Sequence, residues 1–231
     1  MDYEFEPPAT PAVPVHGGSK FPVRRIFCVG KNYADHIREM GGDAKKSSPV
    51  FFTKPADAIV MTGASIPYPQ GTDDLHYEGE LVVAIGNSGR DLTERHEAGA
   101  LIFGTACGCD LTRRDLQAAA KKAGAPWDAS KAFDHSAPVA PIGRWQDFSP
   151  DAFDGARLVT KVNDEIRQDA PLSAMIWTVP EIICALSALF ELRPGDLIYT
   201  GTPAGVGPLN RGDRVEVEIG TLPALEFSIA E

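Results

Sequence analysis

The stretch Leu75-His76-Tyr77-Glu78-Gly79-Glu80-Leu81-Val82-Val83-Ala84-Ile85-Gly86 constrains this chain more than any other. From Leu81 to Ile85 it is short, apolar and rich in β-branched residues, so it predicts a buried strand. Two carboxylates stand at the mouth of that strand. Residues two apart on an extended chain point to the same side, so Glu78 and Glu80 face one way. Burying two like charges that close is costly unless something compensates them. A hard divalent cation does so, because carboxylate oxygens are what Mg²⁺, Mn²⁺ or Ca²⁺ prefer. Gly79 between them leaves room for backbone or ligand to approach closely. By itself the pair also fits a solvated strand face that ends in a loop.

The rest of the chain predicts many short strands and few helices. Ile26–Val29, Val50–Thr53, Ile59–Met61, Ile102–Cys109, Leu197–Thr200, Val215–Ile219 and Leu225–Ile229 read as strands. Arg157–Val162 and Ile166–Gln168 read as a hairpin turning at Asn163-Asp164. Helices are expected over Asn32–Met40, over Glu94–Leu101 with Thr93 as cap, and over Arg113–Ala123. The last has capping-box spacing in Thr112 and Asp115, with Gly124 as terminator. Thr178 and Glu181, with Pro180 in the first turn, start another helix whose core stripe is Ile182, Leu186 and Leu189. This pattern is α+β. Pro7, Pro8, Pro11, Pro14, Gly17 and Gly18 speak against regular structure in the first 20 residues. The expected layout is an extended arm over residues 1–24, then a single domain over 25–231. No composition shift marks a further linker.

Several residues could join the acidic pair. Asp110 ends the apolar strand Ile102–Cys109 and starts a helix, so it can point inward as a third carboxylate. It could equally cap that helix or pair with Arg113 or Arg114. His36 and Glu39 lie three apart on one helical face, the form of a base and its orienter; an exposed histidine on a polar helix looks the same. Arg114, Gln117 and Lys131 could turn positive charge and donors toward an anionic substrate, or form a solvated face. Lys121 shares the helical face of Arg114 and Gln117. Gly201–Gly207 lacks the features of a nucleotide-binding loop, and a backbone N–H donor site at Thr202 is its better use. Asp43–Ser48 is a polar run after Gly41-Gly42, so residues 33–48 could form a lid.

Composition excludes other classes. A net charge of -10 disfavours nucleic acid and anionic membrane as partners. It leaves a small anionic substrate open, since a local cation can invert the potential. No apolar run approaches the ~18 residues of a membrane span. Met1–Glu6 is acidic and unlike a signal peptide, so the cytoplasm is expected. Cys28, Cys107, Cys109 and Cys184 lack zinc-site spacing and read as reduced thiols.

Taken in order, these segments resemble the fumarylacetoacetate hydrolase family. The matching pieces are Gly30-Lys31-Asn32-Tyr33 with His36 and Glu39, His76-Tyr77-Glu78-Gly79-Glu80, Asp110-Leu111-Thr112 with Arg114 and Gln117, Lys131, and Thr200-Gly201-Thr202-Pro203. The resemblance implies a mixed β-roll or barrel with flanking helices, assembled as a homodimer. It implies a divalent cation, Mg²⁺ or Mn²⁺ with Ca²⁺ as an alternative, on Glu78, Glu80 and Asp110. His36 and Glu39 would be the catalytic dyad, with Gln117 and Lys131 stabilising an oxyanion. Lys31, Tyr33, Arg114 and Thr202 would bind substrate. With so short a stretch before Arg25, the resemblance implies the acylpyruvase branch. The implied activity is cleavage of a C–C bond in a 2,4-diketo acid, namely fumarylpyruvate to fumarate and pyruvate in gentisate breakdown. Oxaloacetate decarboxylation, diacid isomerisation or decarboxylation, and a non-catalytic cation site are the alternatives.

Overall fold

The computed structural model describes residues 3–39, 48–145 and 155–231. Its main sheet is eight-stranded and mixed. In spatial order it runs Val50–Lys54, Arg25–Gly30, Asp196–Tyr199, Gly79–Ile85, Ile102–Cys109, Ala137–Val139 and Ile59–Met61, with Gly143–Arg144 paired beside Ile102–Cys109. A five-stranded sheet follows the order Glu165–Pro171, Arg157–Val162, Arg214–Ile219, Leu225–Ile229 and Ala64–Ile66. The small strands Thr112–Arg113, Leu75–Tyr77 and Gly207–Pro208 form a third sheet. The expected α+β roll is present, with five α-helices of ten residues or fewer among the described residues.

Gly79–Ile85 lies in the middle of the main sheet and is buried at every position. Its residues sort by parity into two cores. Leu81, Val83 and Ile85 pack with Leu158, Val215, Val217 and Ile219 of the five-stranded sheet. Val82 and Ala84 pack on the other side with Ile26, Cys28 and Leu197. A strand with apolar neighbours on both faces reads as a continuous apolar run, which is why the sequence shows no alternation there. Arg214–Ile219 has one buried face, and there the alternation is clean.

Some expectations need correction. The first 20 residues are not without regular structure, because Ala12–Pro14 pairs antiparallel with Lys20–Pro22. Val13, Val15, Phe21 and Val23 of this hairpin are buried in the second core. The prolines are tolerated because a two-stranded edge needs few ladder bonds. Thr93 makes no cap, and the helix Arg95–Gly99 starts from Glu94. The capping box of Thr112 and Asp115 does not form either. Thr112 sits in a strand opposite His76, and the Asp115 carboxylate instead accepts from the Thr72 hydroxyl at 2.6 Å. Tertiary partners outcompete the local cap at both residues. Leu189 lies beyond the helix Val179–Ser187 and is 64% exposed, so the core stripe there is Ile182, Ile183 and Leu186. The capping pair itself holds, with Thr178 N–H donating to Glu181 at 2.9 Å.

Candidate functional site

Strand register assembles the carboxylates. Gly79–Ile85 and Ile102–Cys109 pair antiparallel, with Gly79 opposite Cys109 and Glu80 opposite Gly108. The ladder extends one residue past both strands, where Asp110 N–H donates to the Glu78 carbonyl at 2.8 Å. Asp110 is therefore the cross-strand partner of Glu78, on the face that Glu80 shares two residues on. Oxygens of Glu78, Glu80 and Asp110 all lie within 4.8 Å of one another, and all three residues are buried. Gly79 is needed between them, since a Cβ there would collide with the Thr160 hydroxyl. Its N–H donates to Gln168 Oε1 at 3.0 Å.

Three cations contact two of the three carboxylates, Glu78 and Asp110. Lys131 Nζ donates to Glu78 Oε2 at 2.8 Å, Asp110 Oδ2 at 2.6 Å and Thr112 Oγ1 at 2.6 Å. Arg114 donates to Glu78 Oε1 and to Gln117 Oε1, both at 2.6 Å. Lys54 Nζ lies 2.8 Å from Asp110 Oδ1 and donates to the carbonyls of Leu111 and Lys131. The Lys54–Asp110 contact is an ion pair without hydrogen-bond alignment, so Asp110 Oδ1 is buried beside a cation with no hydrogen bond of its own.

The charges are unevenly distributed. Burial alone would raise the Glu78 pKa, but Lys131 and Arg114 overcome this and hold it well below the usual carboxylate range. Burial would lower the Lys131 pKa, and Asp110 and Glu78 hold it above the usual lysine range. Glu80 has no cationic partner among the described residues and accepts only the Gly201 N–H, at 2.8 Å. Burial, then the charges of Asp110 and Glu78, push its pKa well up. Three buried carboxylates with converging oxygens, one of them underneutralised, are a donor set that fits a divalent cation.

The predicted base stands at the same pocket. His36, on the helix Ala34–Glu39, is buried, and its Nδ1 lies 3.2 Å from Glu39 Oε2. The other Glu39 oxygen accepts the Gly205 N–H at 3.0 Å. Gly205 has φ 97°, and a Cβ there would strike the Arg167 carbonyl. The Tyr77 hydroxyl donates to the Gly205 carbonyl at 2.9 Å, so the loop that orients Glu39 is tied to the strand leading into Glu78. Residues 40–47 lie outside the described residues, and with them the second half of the predicted lid.

A pocket of about 140 Å³ brings together Glu78, Glu80, Asp110, His36, Arg114, Gln117, Lys131, Lys31 and Thr202. Tyr33 is not on its wall. It is buried beneath, its hydroxyl without a partner, and burial followed by the Glu80 charge raises its pKa. The Thr202 hydroxyl accepts from Gln168 Nε2 at 2.8 Å and keeps its own proton to donate, and the loop's N–H donor toward the carboxylates is that of Gly201. All three Lys131 protons are engaged, so of the two residues expected to stabilise an oxyanion it is Gln117 that keeps its amide N–H groups to donate. Lys54 escaped the sequence reading. Period two on Val50–Lys54 puts it on the side of Phe52, which lines the pocket, and that parity was the available signal.

The fold and site define an α+β protein with a buried carboxylate site for a hard cation, open to a small acid. The chain belongs to the fumarylacetoacetate hydrolase family, an enzyme family whose C-terminal domain matches residues 25–230. A fumarylpyruvate hydrolase of Pseudomonas aeruginosa, in complex with Mn²⁺ and pyruvate, is 42% identical with a TM-score of 0.94, covering 99% of each chain. The oxaloacetate tautomerase YcgM of Escherichia coli strain K12 is 41% identical, over 85% of this chain and 89% of its own. The mitochondrial oxaloacetate tautomerase FAHD1 of Homo sapiens is 41% identical, over 89% of this chain and 91% of its own. No helix among the described residues is long and apolar enough to cross a membrane.

Proposed function

We propose that this protein hydrolyses the C3–C4 bond of a 2,4-diketo acid, and that its substrate is fumarylpyruvate, released as fumarate and pyruvate. The observation that carries the reading is the likeness to the Pseudomonas aeruginosa hydrolase, which runs through 99% of both chains at 42% identity. A divalent cation, Mg²⁺ or Mn²⁺, held by Glu78, Glu80 and Asp110 would supply Lewis acidity and a template for the 2-oxo acid end. His36, with Nδ1 oriented by Glu39, presents Nε2 to a water and takes its proton. The resulting hydroxide bonds to C4. The Gln117 amide donates to the oxygen that gains charge there. The C3–C4 bond then breaks with its electron pair on C3, and a proton returned to C3 completes pyruvate. Lys131, Arg114 and Lys54 hold the carboxylates in place throughout.

Oxaloacetate tautomerisation is the second reading, and the Escherichia coli and Homo sapiens relatives at 41% identity favour it. It moves a proton between carbon and oxygen and needs no attacking water. Oxaloacetate decarboxylation likewise uses the cation without the water. A cation site without catalysis would leave the His36–Glu39 pair with no task. A cytoplasmic homodimer serving gentisate breakdown is part of the proposal and rests on the family resemblance. Its oligomeric state is read by sedimentation.

The deciding experiment incubates the Mn²⁺-loaded protein with fumarylpyruvate, acetylpyruvate, fumarylacetoacetate and oxaloacetate. Equimolar fumarate and pyruvate from the first is the expected result. Rapid equilibration of oxaloacetate enol with no C–C cleavage of any acylpyruvate would overturn the hydrolase reading.

A further inference from the structure

The helix Arg114–Ala123 runs from the carboxylate cluster outward. Arg114, Gln117 and Lys121 lie on one face of it, at spacings of three and four residues. Their depths differ. Arg114 and Gln117 are buried, whereas Lys121 is exposed at the pocket mouth. At 1.5 Å rise per residue, Lys121 starts about 10 Å farther along the axis than Arg114.

Their commitments differ as well. Arg114, Lys131 and Lys54 are each tied to a carboxylate of the cluster. Lys121 has no carboxylate partner among the described residues. Its ammonium lies 5.2 Å from the centre of the Trp127 ring, which forms another part of the pocket wall. A cation over an indole is held in place and keeps its charge for another ligand. Trp127 in turn packs against Phe52, with ring centres 5.7 Å apart, so the seat is firm. Lys31 reaches the same pocket from a left-handed backbone with φ 63°, a conformation that few residues other than glycine adopt. It too has no carboxylate partner among the described residues. Partial desolvation, with the like charges of Arg114, Lys131 and Lys31, brings the Lys121 pKa down to about 8. An anion arriving at the mouth would relieve that repulsion.

We infer that Lys121 binds the far carboxylate of a dicarboxylic substrate whose 2-oxo acid end sits at Glu78, Glu80 and Asp110, and so makes the pocket selective for diacids. Lys31 adds to the same positive field. The inference rests on the reading of the pocket as a 2-oxo acid site, and it extends that reading from the reacting end of the substrate to its tail. The buried cations serve the cluster, and the exposed one serves the ligand. Lys122, the next residue along, does not line the pocket and serves as a control of equal charge.

The test uses a matched pair of unreactive probes, 2-oxoheptanedioate and 2-oxoheptanoate. Both carry the 2-oxo acid end on a chain of equal length, and only the first ends in a carboxylate. Binding to the Mn²⁺-loaded protein is measured by calorimetry for wild type, Lys121→Met, Lys121→Arg and Lys122→Met. Wild type should prefer the diacid by about tenfold or more, as expected for a charge-assisted hydrogen bond. Lys121→Met should abolish that preference through the diacid alone, with the monoacid changed less than about twofold. Lys121→Arg should keep most of it, and Lys122→Met all of it. A preference that survives Lys121→Met, an equal loss for both probes, or no binding of either probe overturns the inference. Fumarylpyruvate turnover is followed in the same preparations. A Lys121-dependent preference without any acylpyruvate cleavage would sink the hydrolase reading and leave this subsite standing. Cleavage without the preference would do the reverse.

Discussion

The two halves of the pocket are built in different ways. Glu78, Glu80 and Asp110 stand at the end of a two-strand ladder, buried to 5% exposure or less, with buried lysines and an arginine filling the space around them. His36 stands on a six-residue helix and meets an exposed glutamate whose other contact is a single loop N–H. Backbone register fixes the first half, and two side-chain contacts position the second. The carboxylate end is therefore held by the ladder itself, whereas the dyad is attached through side-chain contacts whose loss should leave the ladder in place. Chemistry that needs only the cation should survive loss of the dyad, and chemistry that needs an activated water should not.

The largest expected effect breaks the carboxylate end itself. Asp110→Asn or Glu80→Gln should lower turnover of every substrate by about 10³-fold or more, because the Lewis acid's several kcal/mol is lost at 1.4 kcal/mol per decade. Mn²⁺ affinity by calorimetry should fall in parallel while circular dichroism stays unchanged. Full turnover after exhaustive EDTA treatment would show that the cluster holds no essential cation. Next comes the dyad. His36→Ala should depress acylpyruvate hydrolysis by about 10²–10⁴-fold and leave Mn²⁺ affinity intact. Oxaloacetate turnover should fall much less, and an equal fall of both in kcat would erase the contrast between the halves.

Stability should divide along the same line. Lys131→Met leaves Glu78 and Asp110 short of a partner in the interior, so the cation-free protein should lose about 3–5 kcal/mol in denaturant unfolding. Mn²⁺ should restore part of it, since it neutralises the same oxygens. His36→Ala should cost far less.

The smallest effect concerns pH. In the cation-free protein the Glu80 pKa is raised by burial and by its acidic neighbours. A raised carboxylate pKa means that the folded state holds the proton more tightly than the unfolded chain. Stability is then full below the unfolded pKa and is lost as pH rises through the folded one. Cation binding needs Glu80 ionised, so below its folded pKa the affinity should rise by up to tenfold per pH unit. Up to one proton should be released per cation, which calorimetry in buffers of different ionisation enthalpy detects. Glu80→Gln should abolish the proton release and flatten the stability profile. Unchanged proton release in that variant would place the titrating group elsewhere.

The strands and the triad were legible in the sequence because they rest on period and on residue type. Leu81–Ile85 announced a strand by its apolar run, and Glu78 and Glu80 fell on one side of it by parity. Asp110 could be nominated from its place at a strand end, but its position opposite Glu78 is a matter of register, which one strand alone does not specify. Lys54 was missed because a lysine before a proline at a strand end looks like a solvated terminus, and only the folded sheet shows its 2% exposure. Thr112 misled because its hydroxyl bonds Lys131, a partner 19 residues away, instead of the turn that follows it. The N-terminal prolines misled for a related reason: the core that holds Val13 and Phe21 is supplied by distant residues. Local chemistry was readable wherever it had no distant competitor.

The parity sorting of Gly79–Ile85 bears on how this site tolerates change. A one-residue slip of that strand would send Val82 and Ala84 into the space of Leu81 and Val83, and both cores would be wrong at once. Intermediate positions do not exist, because a ladder moves in whole residues. Substitutions that trim or swell the surrounding side chains therefore erode stability by degrees while the carboxylate spacing stays fixed. The active geometry is digital, although the packing that guards it is analogue. Variation in the cores should be silent in metal affinity up to the point where the register fails, and there the three carboxylates part together.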